Sequence, residues 1–332
     1  MADYIGIKGI SIPTVSSDPS NPVAGQIWYN TTSATLKGYG KLGAGAWAAG
    51  GALNAGRYNN AGAGTGTAGL TFGGVPPAAA VALTESYDGS TWTEVGDLNQ
   101  ARDFMAGTGS QTAALCITGQ IPPSPPPHTT DLVEDFNGTA WTEVGDVNDG
   151  RRNSVGCGIT TAALCIGGGP PAPVYAFTEE FNGTAWTEIA DTNTDRMSAA
   201  GSTNGTTTAT LYFGGTEPPG PPNPADSTKT ESWNGTSWTE VGDLGTGRYK
   251  LGGAGIQTDA LAYGGGWPLT VNTESFNGTS WTEVANLAVA AATFGHCGSS
   301  TNAFGAGGDF PPSYRGCEEW LFADETKTFT AS

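Results

Sequence analysis

The chain has 332 residues, 52 of them glycine and 21 proline, with ten tryptophans, ten tyrosines and twelve phenylalanines. That many aromatic side chains exclude a disordered chain and, with so much glycine, fit short strands joined by tight turns. Thirteen basic residues against 31 acidic ones give a formal charge of −18, which argues against a nucleic-acid partner and against a bare anionic membrane.

The segment 1–40 comes first and stands apart in pattern. Its start, Met1-Ala2-Asp3-Tyr4-Ile5-Gly6-Ile7-Lys8-Gly9, lacks a basic stretch followed by an apolar one, so no secretory signal is expected. No run of about 18 apolar residues occurs anywhere, so no spanning helix and no membrane insertion are expected. The stretch 17–32, containing Gly25-Gln26-Ile27-Trp28-Tyr29-Asn30, followed by Leu36-Lys37-Gly38-Tyr39, predicts two short strands around a turn.

From residue 41 onward the chain repeats. Ser90-Thr91-Trp92-Thr93-Glu94-Val95 returns around Trp141, Trp186, Trp238 and Trp281, and a degenerate copy surrounds Trp47. By subtraction of their positions the tryptophans stand 45, 49, 45, 52 and 43 residues apart. Periods of about 40–50 residues belong to four-stranded propeller blades. The unit from Arg102 to Val144 shows four strand-like runs: a small-residue run from Arg102 to Gly109, an apolar run from Ala113 to Gly119, and alternating runs at 131–136 and 141–144. Asn-Gly at 137, 182, 234 and 277, and Asp88-Gly89, predict tight turns between the last two strands. Some also read as glycosylation sites, Asn137-Gly138-Thr139 among them, but the turn reading is preferred. Small residues fill each first strand, as in Ala106-Gly107-Thr108-Gly109, where a narrow central channel leaves little room. The second strand often ends in paired glycines: Gly73-Gly74, Gly168-Gly169, Gly214-Gly215, Gly264-Gly265 and Gly307-Gly308.

Paired glycines, an aromatic residue in the third strand and a tryptophan about ten residues later resemble the kelch repeat. The resemblance implies an all-β fold, a six-bladed kelch-like β-propeller over 41–332 with a short N-terminal β attachment segment over 1–40. Seven candidate outer strands compete for six places, if Phe329 is counted with Trp47. The Trp47 strand is expected to complete the last blade by pairing beside 318–322.

Arginine recurs ten residues after the tryptophan, at Arg57, Arg102, Arg151, Arg196 and Arg248, with Ala291 in the sixth copy. A ring of arginines could hold an anionic ligand such as a sugar acid. The preferred reading is structural, an ion pair between neighbouring blades with the repeated Glu85, Glu134, Glu179, Glu231 and Glu274. Asp97, Asp146, Asp191 and Asp243 read as loop carboxylates, with calcium as a weaker alternative. Ser86-Tyr87-Asp88-Gly89-Ser90-Thr91-Trp92 approaches the Asp-box of sialidases but lacks one residue, and reads as a turn. Copper chemistry of the galactose oxidase kind needs more than His128 and His296, the two histidines present. No catalytic, metal or cofactor site is expected, and the five cysteines read as reduced, buried hydrophobes. The variable loops between the second and third strands are the expected binding face: Pro122, Pro125 and His128; Pro171 and Tyr175; Pro219 and Pro222; Trp267; Phe310 and Tyr314. Tolerated surface insertion is the equal alternative.

The 1–40 segment is similar to a short module found near the start of tailed-bacteriophage fibre and other virion proteins, and its union with glycine-rich kelch-like repeats resembles virion proteins of marine phages. An ordinary hairpin capping the propeller is the other reading of this segment. The resemblance implies a non-enzymatic virion protein (tail fibre, tail tip or head decoration), made in the host cytoplasm. It would bind other virion proteins through 1–40, possess a host-surface glycan or protein as partner, and have homo-oligomerisation open to it. An intracellular kelch-type adaptor and, less favoured, a carbohydrate-active enzyme are the alternatives.

Overall fold

Alternating and apolar runs bounded by glycine become strands throughout: the computed structural model contains no helix among the residues it describes, which are 12–23, 25–76, 79–122, 129–170, 174–218, 225–309 and 314–329. The strands form five four-stranded antiparallel sheets, one six-stranded sheet and one two-stranded hairpin. We number the large sheets I to VI in chain order: I (61–94), II (106–143), III (155–188), IV (200–240), V (252–283) and VI, which starts at 295. In sheets I, II, III and V each strand pairs with the next in sequence, and in sheet IV the hairpin of Thr216–Glu217 and Ala225–Asp226 intervenes between the second and third strands. In sheet II, for example, Ala106–Ser110, Ala113–Ile117, Val133–Phe136 and Trp141–Glu143 follow one another. The architecture is propeller-like.

By its internal contacts the chain divides into two compact units: Trp47–Leu321, and the residues up to Ala46 together with those from Phe322 on. In the smaller unit, Ile27–Asn30 pairs antiparallel with the start of Thr35–Ala49, and Thr14–Val15 pairs parallel with Tyr29 and Asn30. This is the hairpin expected from the sequence. Asp18 fastens it. One carboxylate oxygen accepts from Trp28 Nε1 at 2.9 Å and Asn30 Nδ2 at 2.7 Å, and the other meets Lys37 Nζ at 2.6 Å. The Lys37 contact, with the other donors, lowers the Asp18 pKa to about 2.

Within the larger unit the first strands of the sheets lie side by side in sequence order, and Gly295–Ser299 of sheet VI lies against Ala61–Thr65 of sheet I. A shared glycine makes this approach possible. A Cβ on Gly107 would stand 2.4 Å from Gly62 O, and one on Gly253 would stand 2.4 Å from Gly201 O. The equivalent place in sheet VI is taken by His296, whose Nδ1 lies 2.9 Å from Gly253 O.

The repeated tryptophans join one sheet to the sheet before it. Trp141 of sheet II packs 4.8 Å from Phe72 of sheet I, and its Nε1 donates to Thr84 Oγ1 at 3.0 Å. Trp281 repeats this on Phe213 and Thr230, and Trp92 meets Phe304 of sheet VI edge-on at 5.9 Å. Trp47 takes the same part for sheet VI: its ring lies 4.7 Å from Tyr263, and its Nε1 donates to Thr273 Oγ1 at 3.0 Å. The strand Thr35–Ala49 neighbours Cys317–Phe329 in the sheet order, and Gly50 N donates to Cys317 O at 2.9 Å. Phe329 belongs to Cys317–Phe329 and forms no outer strand of its own.

Each tight turn is held by its Asn or Asp. Asn137 Oδ1 accepts from the amides of Thr139 and Ala140, both at 3.0 Å, while Gly138 supplies the left-handed φ of 91°.

The arginines pair with the glutamates, but within a sheet rather than between neighbouring ones. Arg57, Arg102, Arg151, Arg196 and Arg248, each just before a first strand, meet Glu85, Glu134, Glu179, Glu231 and Glu274 in the third strand of that same sheet at 2.5–3.0 Å. The guanidinium also satisfies strand carbonyls; Arg102 donates to the carbonyls of Thr118, Leu132 and Cys116. The second glutamate oxygen accepts from the connection that leads into the sheet, as Glu134 Oε2 does from Asn99 N and Nδ2. Both partners are thus buried, with each arginine's Nε left without a hydrogen-bond partner. In sheet VI Ala291 replaces the arginine, and Glu318 accepts from the amides of Ala288 and Val289 instead.

Asp97, Asp146 and Asp243 each accept from the first amide of a third strand, those of Thr84, Val133 and Thr230. Among the described residues no group of three or more acidic, histidine or cysteine side chains converges as a metal site. All five cysteines are buried and unpaired, and burial raises the thiols of Cys116, Cys157 and Cys317 to about 12.

Candidate binding site

Two sets of backbone hydrogen bonds run around the larger unit. In the first, the glycine ending each second strand donates to the carbonyl of the residue at the arginine position of the next sheet: Gly74 to Arg102, Gly119 to Arg151, Gly168 to Arg196, Gly215 to Arg248, Gly265 to Ala291, and Gly308 to Arg57, all at 2.8–3.0 Å. In sheet III the pair in register is Gly167-Gly168, one residue before the Gly168-Gly169 pair expected from sequence, and in sheet II Thr118 precedes Gly119.

The second set involves the residue two places after each arginine. Asn59, Phe104, Asn153, Ser198, Lys250 and Thr293 all sit in the left-handed region, at φ of 55–58°. Each amide donates to the carbonyl of the one before, from Phe104 to Asn59 through to Thr293 to Lys250, and Asn59 to Thr293 closes the circle at 2.7 Å. None is glycine, and Phe104 and Thr293 are side-chain types that adopt this conformation at some cost. The surrounding hydrogen bonds therefore hold six side chains of five kinds in one fixed rim.

Inside this rim lies a cavity of about 80 Å³, lined by those six residues, the ones that follow them and His296. A second cavity of about 50 Å³ shares Asn60, Met105, Ser154, Ala199 and His296 with it and continues along the first strands past Gly62, Gly107 and Gly156. Lys250 is the lining ammonium. It makes no salt bridge among the described residues, and burial lowers its pKa, opposed by Asp309 and assisted by Arg152. Burial lowers His296 to about 4, against its hydrogen bond to Gly253, so the imidazole is neutral at pH 7. Asn60 Oδ1 and Thr293 Oγ1 are buried without a hydrogen-bond partner.

Beside the rim, Asp103 and Arg152 occupy equivalent repeat positions. Asp103 is raised to about 6 by burial, against Asn59 and Arg152, and its Oδ1 has no partner. Arg152 lies 5.2 Å over the Phe104 ring and donates to Gln120.

The loops after the second strands start on the same side. Tyr58 bridges Val75, Asp103 bridges Gln120, Arg152 bridges Gly169 and Met197 bridges Thr216; Gly266 N donates to Tyr249 O at 2.7 Å. Of the expected loop residues, Trp267 is 72 % exposed, Tyr175 stacks on Phe177 at 4.6 Å, Tyr314 lies 5.7 Å from Tyr58, and Pro122 is half-buried. Pro125, His128, Pro171, Pro219, Pro222 and Phe310 lie outside the described residues.

The rim residues were not singled out from sequence. Their signal is negative: two places after the repeated arginine position, five residue types fill six copies, with only asparagine recurring, at Asn59 and Asn153. Chemically the site offers amides, hydroxyls, one cation and aromatic faces. Among the described residues His296 Nδ1 meets the backbone of Gly253 rather than a lining hydroxyl. Comparison of the chain with protein-family models and with curated protein sequences finds no match.

Proposed function

We propose that the chain is a six-bladed β-propeller of kelch type, acting as a non-enzymatic structural protein of a tailed-phage virion whose loop face contacts the host surface. The observation that carries this reading is the contrast between frame and face. Tryptophan, arginine, glutamate and Asn-Gly recur at fixed places and are used up in holding sheets together. The rim residues on one face vary in kind from copy to copy, with amide, aromatic, hydroxyl and ammonium side chains at one repeat position. Variation confined to one face of a repeat array is the mark of a binding surface. The six first strands in mutual contact and the two circular sets of hydrogen bonds support the six-bladed count.

The virion assignment rests on the resemblance of the 1–40 segment, which would dock on other virion proteins. Gold-labelled antibody against the chain, imaged on purified particles by electron microscopy, tests it. Label at a fixed, repeated position is expected; particles free of the chain, with label only in host cytoplasm, would favour an intracellular adaptor.

A further inference from the structure

We propose that the rim cavity binds the anionic substituent, carboxylate or sulfate, of an acidic glycan. This rests on the reading of the loop face as a surface-binding face and assigns it a site and a ligand chemistry.

Lys250 is the only lining side chain that is charged at neutral pH, since the other titratable one, His296, is neutral there. No carboxylate forms a salt bridge with it among the described residues, and Asp309 acts on it only from beyond ion-pair distance, so an anion entering the cavity meets a half-buried ammonium with no direct partner. Asn59, Asn153, Ser198 and Thr293 surround it with the amide and hydroxyl groups that pair with sugar hydroxyls. Thr293 Oγ1 and Asn60 Oδ1, on two residues that line the cavity, lack hydrogen-bond partners among the described residues. At about 80 Å³ the cavity admits a charged substituent and the edge of a ring rather than a whole sugar.

Two aromatic residues adjoin the rim, one within it and one beside a residue bonded next to it. Phe104 is part of the rim, and Trp267 stands 72 % exposed directly after Gly266, which is bonded to Tyr249, the neighbour of Lys250. Flat apolar faces around a polar pit suit the C–H faces of sugars along a chain. The circular hydrogen bonds hold the polar groups in place before the ligand arrives, which lowers the cost of ordering on binding.

The test is titration calorimetry of the full chain with three oligosaccharides of equal length: an oligo-uronate, a sulfated oligosaccharide and their neutral counterpart. Binding of at least one acidic form is expected, with the neutral form and the Lys250→Ala variant each about tenfold weaker or worse, as for losing a charge-assisted contact. Lys250→Arg should retain binding, and Thr293→Val should weaken it with an unchanged urea midpoint. Which acidic arm binds identifies the substituent. Absence of binding by both acidic forms, equal binding of the neutral one, or unchanged affinity in Lys250→Ala would overturn the proposal. If host adsorption and particle labelling persist alongside such a result, the glycan site is wrong while the virion reading stands.

Discussion

Replacing Arg102 by methionine separates the ion pair from the packing around it. The arginine side chain is fully buried, and methionine fills much of the same volume with no charge. The change strands Glu134 Oε1, which loses its 3.0 Å partner, while Oε2 keeps Asn99 N at 2.7 Å and Asn99 Nδ2 at 2.8 Å. The carbonyls of Thr118, Leu132 and Cys116 each lose a donor as well. Breaking one side of a buried pair costs about 3–5 kcal/mol. Arg102→Met with Glu134→Gln removes the stranded charge and should recover about 2 kcal/mol of that loss. Urea unfolding followed by tryptophan emission gives both numbers from the midpoint and slope. A single-variant cost under about 1 kcal/mol, or a double variant no more stable than the single one, would refute the reasoning. Sheet VI is the natural precedent: without the arginine, its glutamate is held by two backbone amides.

Other predictions follow from the rim and the sheet contacts. Asp103 has its folded pKa raised to about 6 from 3.8, so the folded state binds the extra proton and stability falls as pH rises between those values. Asp103→Asn should therefore stabilise the protein by about 1–3 kcal/mol at pH 7, a gain that disappears by about pH 4; a gain independent of pH in urea melts would contradict this. Trp47→Ala should lower stability by about 3 kcal/mol, comparable with Trp281→Ala. An unchanged midpoint for Trp47→Ala would remove the outer-strand role given to it in sheet VI. Gly107→Ala places a Cβ 2.4 Å from Gly62 O and should cost about 1–3 kcal/mol, read by thermal unfolding against wild type; a neutral outcome would mean the first strands separate more easily than their contacts imply.

The frame was legible in the sequence because its residues act alike in every copy. Trp141, Arg102, Glu134 and Asn137-Gly138 have the same neighbours as their counterparts, so repetition exposes them. Arginine with glutamate could be matched by type, but not which sheet each occupied: the pair joins residues about thirty apart, and the chain's spacing allows either partner sheet. The one-residue shift to Gly167-Gly168 went unseen because three glycines in succession, 167–169, hide the register. The rim escaped for a physical reason. Left-handed backbone is usually announced by glycine or asparagine, and here circular hydrogen bonding imposes it on Phe104, Lys250 and Thr293.

The placement of Trp47 and Gly50 beside residues of the far end sets a timetable for synthesis. Sheets I to V are each built from one continuous stretch and can form as they leave the ribosome. The strand ending at Ala49 must wait for Cys317, on the order of tens of seconds at ordinary elongation rates. Through that interval it is an unpaired edge, open to the wrong neighbour. A nascent chain stalled before residue 317 should therefore be the species most prone to aggregate, and the full-length chain much less so.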